Sequence, residues 1–133
     1  MKVSDIVLAE YAGVDDDGQF TLVRAGLARM LTDKLPCVIP SLYMFLRLNA
    51  ERRDKGIHRI DITLAGRHGP FLKAEGSMTV TEDGVDDPRI SMPFHFQNIT
   101  FGTEGRFDFR VSINGLLEAT HPFYVKYAAG QPS

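Results

Sequence analysis

Three consecutive aspartates, Asp15, Asp16 and Asp17, stand immediately before Gly18, and a second acidic group, Glu82, Asp83, Asp86 and Asp87, stands before Pro88. Several carboxylate oxygens on one loop are the ligands a hard cation such as Ca²⁺ takes. If the two loops met at one end of the fold they could share an ion. Each run also has an ordinary reading. Asp-Gly tolerates positive φ and is a favoured hairpin dipeptide, and a charged loop discourages edge-to-edge association. We read both runs as turns first and as metal candidates second.

Arg47, Arg52, Arg53, Lys55, Arg59 and Arg67 lie close together in sequence, opposed by Glu51, Asp54 and Asp61. They define a candidate basic surface. A reader of single-stranded nucleic acid interleaves stacking aromatics with its cations, whereas the aromatics here sit in apolar runs. The expectation is a charged surface or a protein contact, with no nucleic acid.

Four histidines, His58, His68, His95 and His121, raise metal or acid-base chemistry, because imidazole binds transition metals and titrates near neutrality. Their spacing fits no ligand motif. His58 shares the apolar face of its segment and reads as a hydrogen-bonded core residue. Cys37, flanked by Leu35, Pro36, Val38 and Ile39, reads as buried, without the electropositive setting that would activate a thiol. No G-x-S-x-G elbow or glycine-rich phosphate loop occurs. No cofactor is expected.

The elements that would position these residues are strands. In Gly105–Ile113, Phe107, Phe109, Val111 and Ile113 alternate with Arg106, Asp108, Arg110 and Ser112, and Asn114-Gly115 follows as a hairpin turn. Ile57–Leu64 places His58, Ile60, Ile62 and Leu64 on one face and Arg59, Asp61 and Thr63 on the other. Val3–Ala12 and Gln19–Gly26 read as a first hairpin. Ala28–Leu35 has roughly helical spacing at Met30, Leu31, Lys34 and Leu35, which predicts a short helical turn limited by Pro36 and Pro40. Ser41–Asn49 fits a strand or a buried helix, and Pro40 before it favours the strand. Phe71–Val80 is a strand in which Gly76 suggests a bulge, and Ser91–Phe101 is another.

The order of Leu8-Ala-Glu-Tyr-Ala12 with Asp17-Gly18, Pro36 and Pro40 before Ser41–Leu48, Gly56–Leu64 and Gly105–Gly115 resembles a bacterial family of small β-sandwich proteins, a domain of unknown function. The resemblance covers nearly the whole chain and brings no site residues with it. Gly105–Phe109 is also similar to the penultimate strand of immunoglobulin-like sandwiches, where a tyrosine often stands at the position of Phe107; phenylalanine cannot make that corner hydrogen bond.

The 133 residues suit one domain, 1–133, with 130–133 as a flexible tail. With 44% hydrophobic and 24% charged residues the chain can bury a core, and a net charge of -2 gives the whole molecule no attraction to polyanions. A single cysteine excludes an internal disulfide and favours a reducing compartment. Ile6–Ala9 before Glu10 is too short for a secretory or membrane-spanning segment, so a cytoplasmic protein with no membrane contact is expected.

The fold expected is all-β: an antiparallel two-sheet β-sandwich, immunoglobulin-like or similar, of about eight strands with at most one short helical turn. The function expected is a non-enzymatic binding or assembly module, bound to a protein partner or to itself through an edge strand or end loops. The alternatives are a Ca²⁺ or small-polar-ligand module at the acidic loops and a hydrolase with a His–carboxylate site.

Overall fold

A computed structural model describes residues 1–16, 19–81 and 89–128, the side chains of Arg52 and Arg89 aside. Nine strands run in the order β1 (Lys2–Val14), β2 (Phe20–Ala25), β3 (Arg29–Thr32), β4 (Cys37–Asn49), β5 (Gly56–Gly66), β6 (Gly69–Val80), β7 (Arg89–Phe101), β8 (Gly105–Ile113) and β9 (Leu116–Tyr127). One 3-10 turn, Arg52–Asp54, joins β4 to β5. The strands form a four-stranded sheet, β2-β1-β4-β7, and a five-stranded sheet, β3-β9-β8-β5-β6. One of the two sheets is curled into a half-barrel.

The two sheets share one core because their facing sides follow the period of two in the sequence. Leu42, Met44, Leu46 and Leu48 of β4 and Phe94, Phe96, Ile99 and Phe101 of β7 meet Ile60, Ile62 and Leu64 of β5 and Phe107, Phe109, Val111 and Ile113 of β8. Phe101 and Phe109 are both fully buried. Phe101 packs edge-on to Phe107 at 4.7 Å, and Phe96 meets Phe109 at 5.7 Å, so rings from both sheets interlock. The β8–β9 hairpin turns through Asn114 (φ 51) and Gly115 (φ 85), as the Asn-Gly dipeptide predicts.

Several expectations are corrected. Ala28–Leu35 is not a helical turn: Arg29–Thr32 pairs in parallel with Tyr124–Tyr127 of β9, and the Tyr124 N–H donates to the Ala28 carbonyl. Met30 packs toward the core while Leu31 points out, an alternation that two adjacent apolar residues satisfy as well as a helix would. This short strand makes the count nine, and its pairing means the sheets are not wholly antiparallel. Pro40 lies inside β4 rather than before it, opposite Asn98 and between the Ile39–Ile99 and Ser41–Gln97 pairs. Asn98 has φ 53 there. Gly76 is not a bulge: it pairs in register with Ile60, and the irregularity falls between Leu64 and Ala65 instead. A Cβ at Gly76 would stand 3.1 Å from the Phe94 ring, so the missing side chain makes room for a ring from the other sheet.

Phe45 has an unexpected burial. It belongs to the outer side of β4, yet it is 2% exposed. The β1–β2 hairpin continues beyond Ala9–Tyr43, the last β1–β4 pair, and brings the Phe20 ring to 4.6 Å from Phe45. Phe45 is level with Val7, whereas Phe20 pairs with Val14, so the hairpin folds back over the outer face. The Arg47 guanidinium carbon lies 5.2 Å from the Phe20 ring, a cation–π distance.

Candidate functional site

Each sheet ends in two edge strands, and an unpaired edge presents a row of free N–H and C=O groups. In the four-stranded sheet the edges are β2 and β7. β2 is six residues long and contains Arg24 at φ 48. β7 contains Pro93, which has no N–H to donate, and the left-handed Asn98. In the five-stranded sheet β3 is four residues long. Of these four terminal strands β6 is the exception. From Leu72 to Val80 it pairs regularly with β5, contains no proline and has no positive φ.

The sequence makes β6 regular. Leu72, Ala74, Met78 and Val80 turn inward, Lys73, Glu75, Ser77 and Thr79 turn outward, and Gly76 occupies the inward place below Phe94. At its start, Phe71 is the extra residue of the Leu64/Ala65 irregularity, and its ring leans edge-on against Phe101 and Phe107 at 6.0 and 5.8 Å.

The outward side of β5 and β6 carries a charge network. Arg59 Nε donates to Asp61 Oδ1 at 3.1 Å and its terminal nitrogen donates to Glu75 Oε1 at 2.9 Å, while Lys73 Nζ stands 3.1 Å from the same Glu75 oxygen. The Lys73 hydrogen bond, then the Arg59 charge, hold the Glu75 carboxyl below its ordinary range. Arg59 is raised, chiefly by its hydrogen bond to Asp61.

The candidate basic residues are distributed by this architecture. Arg59 belongs to the β5–β6 network, Arg53 pairs with Glu51 at 2.9 Å, Lys55 lies in the β4–β5 connection, Arg47 sits under Phe20 on the other sheet, and Arg67 is in the β5–β6 turn. The Arg52 side chain lies outside the described set. Arg67 and His68 border a cleft of about 320 Å³ between the β5–β6 and β7–β8 turns, floored by Phe71 and Phe107.

Of the acidic candidates, Asp15 closes the first hairpin: its Oδ1 accepts the Gln19 N–H at 3.0 Å and its own N–H donates to the Gln19 carbonyl at 2.8 Å. Asp16 is exposed beside it. Asp17, Glu82, Asp83, Asp86 and Asp87, like the 130–133 tail, lie outside the described residues. Among the described residues no three His, Cys, Asp or Glu side chains gather where they could hold a metal ion.

The histidines stand at four separate places. His58 Nδ1 accepts from Asn114 Nδ2 at 2.9 Å and its other ring nitrogen meets the Asp54 carbonyl, so the ring is fixed by hydrogen bonds at the edge of the core. The Asp54 carboxylate in turn accepts the Glu51 N–H at 2.7 Å and pairs with the Met1 ammonium at 3.1 Å, which hold its pKa low. His121 is half-buried, and desolvation pushes its pKa down. His68 is exposed in its turn. His95 was not paired with anything by sequence reasoning. It stacks on Tyr43 at 4.0 Å and bonds Ser41 Oγ at 2.7 Å, a diagonal contact across β4 and β7 that depends on register and leaves no signal in the chain. Cys37 is buried, 4.0 Å from the Met30 sulfur. Among the described residues no helix is long and apolar enough to cross a membrane.

No curated protein matches the chain. Among solved structures it is similar to the Pseudomonas fluorescens alkylpurine DNA glycosylase AlkC bound to DNA containing an abasic site analog, at 9% identity and a TM-score of 0.49. That likeness covers 91% of this chain and 30% of the glycosylase chain, so this chain spans under a third of that protein's length. A family model described as a family of unknown function, DUF6941, matches residues 4–126, which is nearly the whole chain, and the protein belongs to that family.

Proposed function

We propose that this chain is a non-enzymatic β-sandwich binding or assembly module that takes up an extended strand along β6. Added strands gain affinity from main-chain hydrogen bonds and selectivity from alternate side chains. The observation that supports this reading is the contrast among edges. Of the terminal strands, β2, β3 and β7 are short or interrupted, whereas β6 is long and regular and, among the described residues, has no ladder partner on its outer side.

A blocked, uncharged peptide of alternating threonine and valine is a suitable probe of such an edge. Titrated to millimolar concentration against isotope-labelled protein, it is expected to shift the amide resonances of Leu72–Thr79 and to slow their hydrogen exchange. Shifts confined to β7 or to the turns, or no shifts, would remove the reading.

One observation favours a second reading, a hydrolase. Ser41 Oγ and His95 Nε2 are 2.7 Å apart, the spacing of a nucleophile and its base. In the triad arrangement a third group orients the base; here Tyr43 holds the ring by stacking. A fluorophosphonate probe that labels the protein at Ser41, and loses that labelling in His95→Ala, would favour catalysis over binding.

A further inference from the structure

We infer that the strand accepted by β6 is β6 of a second copy, paired antiparallel about a two-fold axis that passes through Ala74. The inference rests on the edge reading above and adds partner and register to it.

A two-fold axis normal to a sheet leaves each face on its own side. Residues opposite each other must therefore share a face, and because faces alternate along a strand, the axis passes through a residue position rather than between two. The charges on β6 then choose among the positions. An axis at Lys73 sets that residue against itself, and an axis at Glu75 does the same to Glu75; like charges directly opposite are destabilising. An axis at Leu72 or Gly76 leaves both residues without an opposite charge across the interface. An axis at Ala74 sets Lys73 against the partner's Glu75 and Glu75 against the partner's Lys73.

The inward side chains are compatible with that register. Leu72, half-buried and inward, faces the partner's Gly76 and so meets the Phe94 ring that lies over that glycine, an apolar contact, and Ala74 faces the partner's Ala74 with small side chains on both sides. The outward network extends without a break. Lys73 and Glu75 of one copy meet those of the other, alternating in sign across the join, and Arg59 and Asp61 of each copy stand one strand further back on β5.

Charge complementation tests the register on the full chain. By sedimentation, the wild-type protein is expected to dimerise with concentration. Lys73→Glu alone places glutamates opposite glutamates, Glu75→Lys alone places lysines opposite lysines, and each is expected to weaken the dimer roughly ten-fold. In an equal mixture of the two variants, both glutamates of one β6 stand opposite both lysines of the other, and a heterodimer of wild-type strength is expected. Ala74→Cys supplies a readout that does not depend on charge: mild oxidation is expected to cross-link it, and to leave Ser77→Cys, which faces the partner's Phe71, without a cross-link.

A wild-type dimer whose two single variants fail to complement, with Ala74→Cys uncross-linked, overturns the register. A chain that stays monomeric at millimolar concentration while still binding the threonine-valine strand on β6 overturns self-pairing and leaves the edge reading intact. A chain that does neither removes both.

Discussion

Asp61 of β5 and Glu75 of β6 stand directly opposite each other in the ladder, two carboxylates in register, and Arg59 donates to both. Such a pair is unfavourable unless cations share it, and Lys73 supplies the second one. Glu75 is consequently lowered, by the Lys73 hydrogen bond first and the Arg59 charge next. Lys73→Gln and Arg59→Gln are each expected to raise the Glu75 pKa in a carboxyl ¹³C NMR titration, the lysine variant more. The sign for stability follows. A carboxyl lowered on folding contributes stability above its unfolded pKa and loses it as pH falls through the folded value. Unchanged Glu75 titration in both variants would show that the network does not persist in solution.

Much of this fold was legible because burial and period coincide. Phe107 to Ile113 and Ile60 to Leu64 alternate so cleanly that their faces follow from the sequence, and Asn114-Gly115 sets the turn between β8 and β9. Legibility ended where a neighbour distant in sequence decides the outcome. Arg29–Thr32 became a strand because β9 offers it a parallel partner. Gly76 is shaped by Phe94 of the opposite sheet, and Phe45 is buried by Phe20 from a folded-back hairpin. The candidate site divides the same way. The outward charges of β5 and β6 could be read from alternation, whereas the open edge of β6 and the Ser41–His95 contact exist only once strand order and register are set.

His121 gives the molecule a pH dependence near neutrality. Its strand partner is Phe109, and partial burial lowers its pKa from the ordinary 6.5. As pH falls below about 6.5 the unfolded chain takes up a proton that the folded chain refuses, so stability declines until the folded pKa is passed and then levels. His121→Gln is expected to flatten the melting temperature between pH 7 and 5. The lowered carboxyls Asp54 and Glu75 act at more acidic pH, and their decline would remain in the variant. A wild-type melting temperature that is flat across that range would contradict the assignment.

Gly76 separates intrinsic strand preference from packing. Valine is favoured in strands by up to ~1 kcal/mol, but a Cβ here meets Phe94 Cε1 at 3.1 Å and Cζ at 3.3 Å. Phe94 is 8% exposed, so its ring has little space to withdraw. Overpacking of this kind costs about 1–3 kcal/mol. Gly76→Val is expected to destabilise the protein in urea unfolding, and Phe94→Leu in the same chain to recover part of the loss. If Gly76→Val stabilises, the ring yields freely and the close approach is not a constraint.

Asn114 does three things at once, which a series of substitutions can take apart. It adopts φ 51 in the turn, its Oδ1 accepts the Arg59 N–H at 3.0 Å, and its Nδ2 donates to His58 Nδ1 at 2.9 Å. The backbone adds a bond of its own, from the Asn114 N–H to the Arg59 carbonyl at 2.9 Å. Each side-chain hydrogen bond is worth about 0.5–1.5 kcal/mol, and a left-handed residue other than glycine, asparagine or aspartate adds roughly 1–2 kcal/mol of strain. Asn114→Asp keeps the Arg59 acceptor and loses only the donor to His58. Asn114→Gly keeps the turn and loses both bonds. Asn114→Ala loses both bonds and strains the turn. Urea unfolding is therefore expected to rank stability as wild type, Asp, Gly and Ala in falling order. If glycine proved as stable as asparagine, the side chain would serve only to reach positive φ, and the tie from the β8–β9 turn to His58 would contribute nothing.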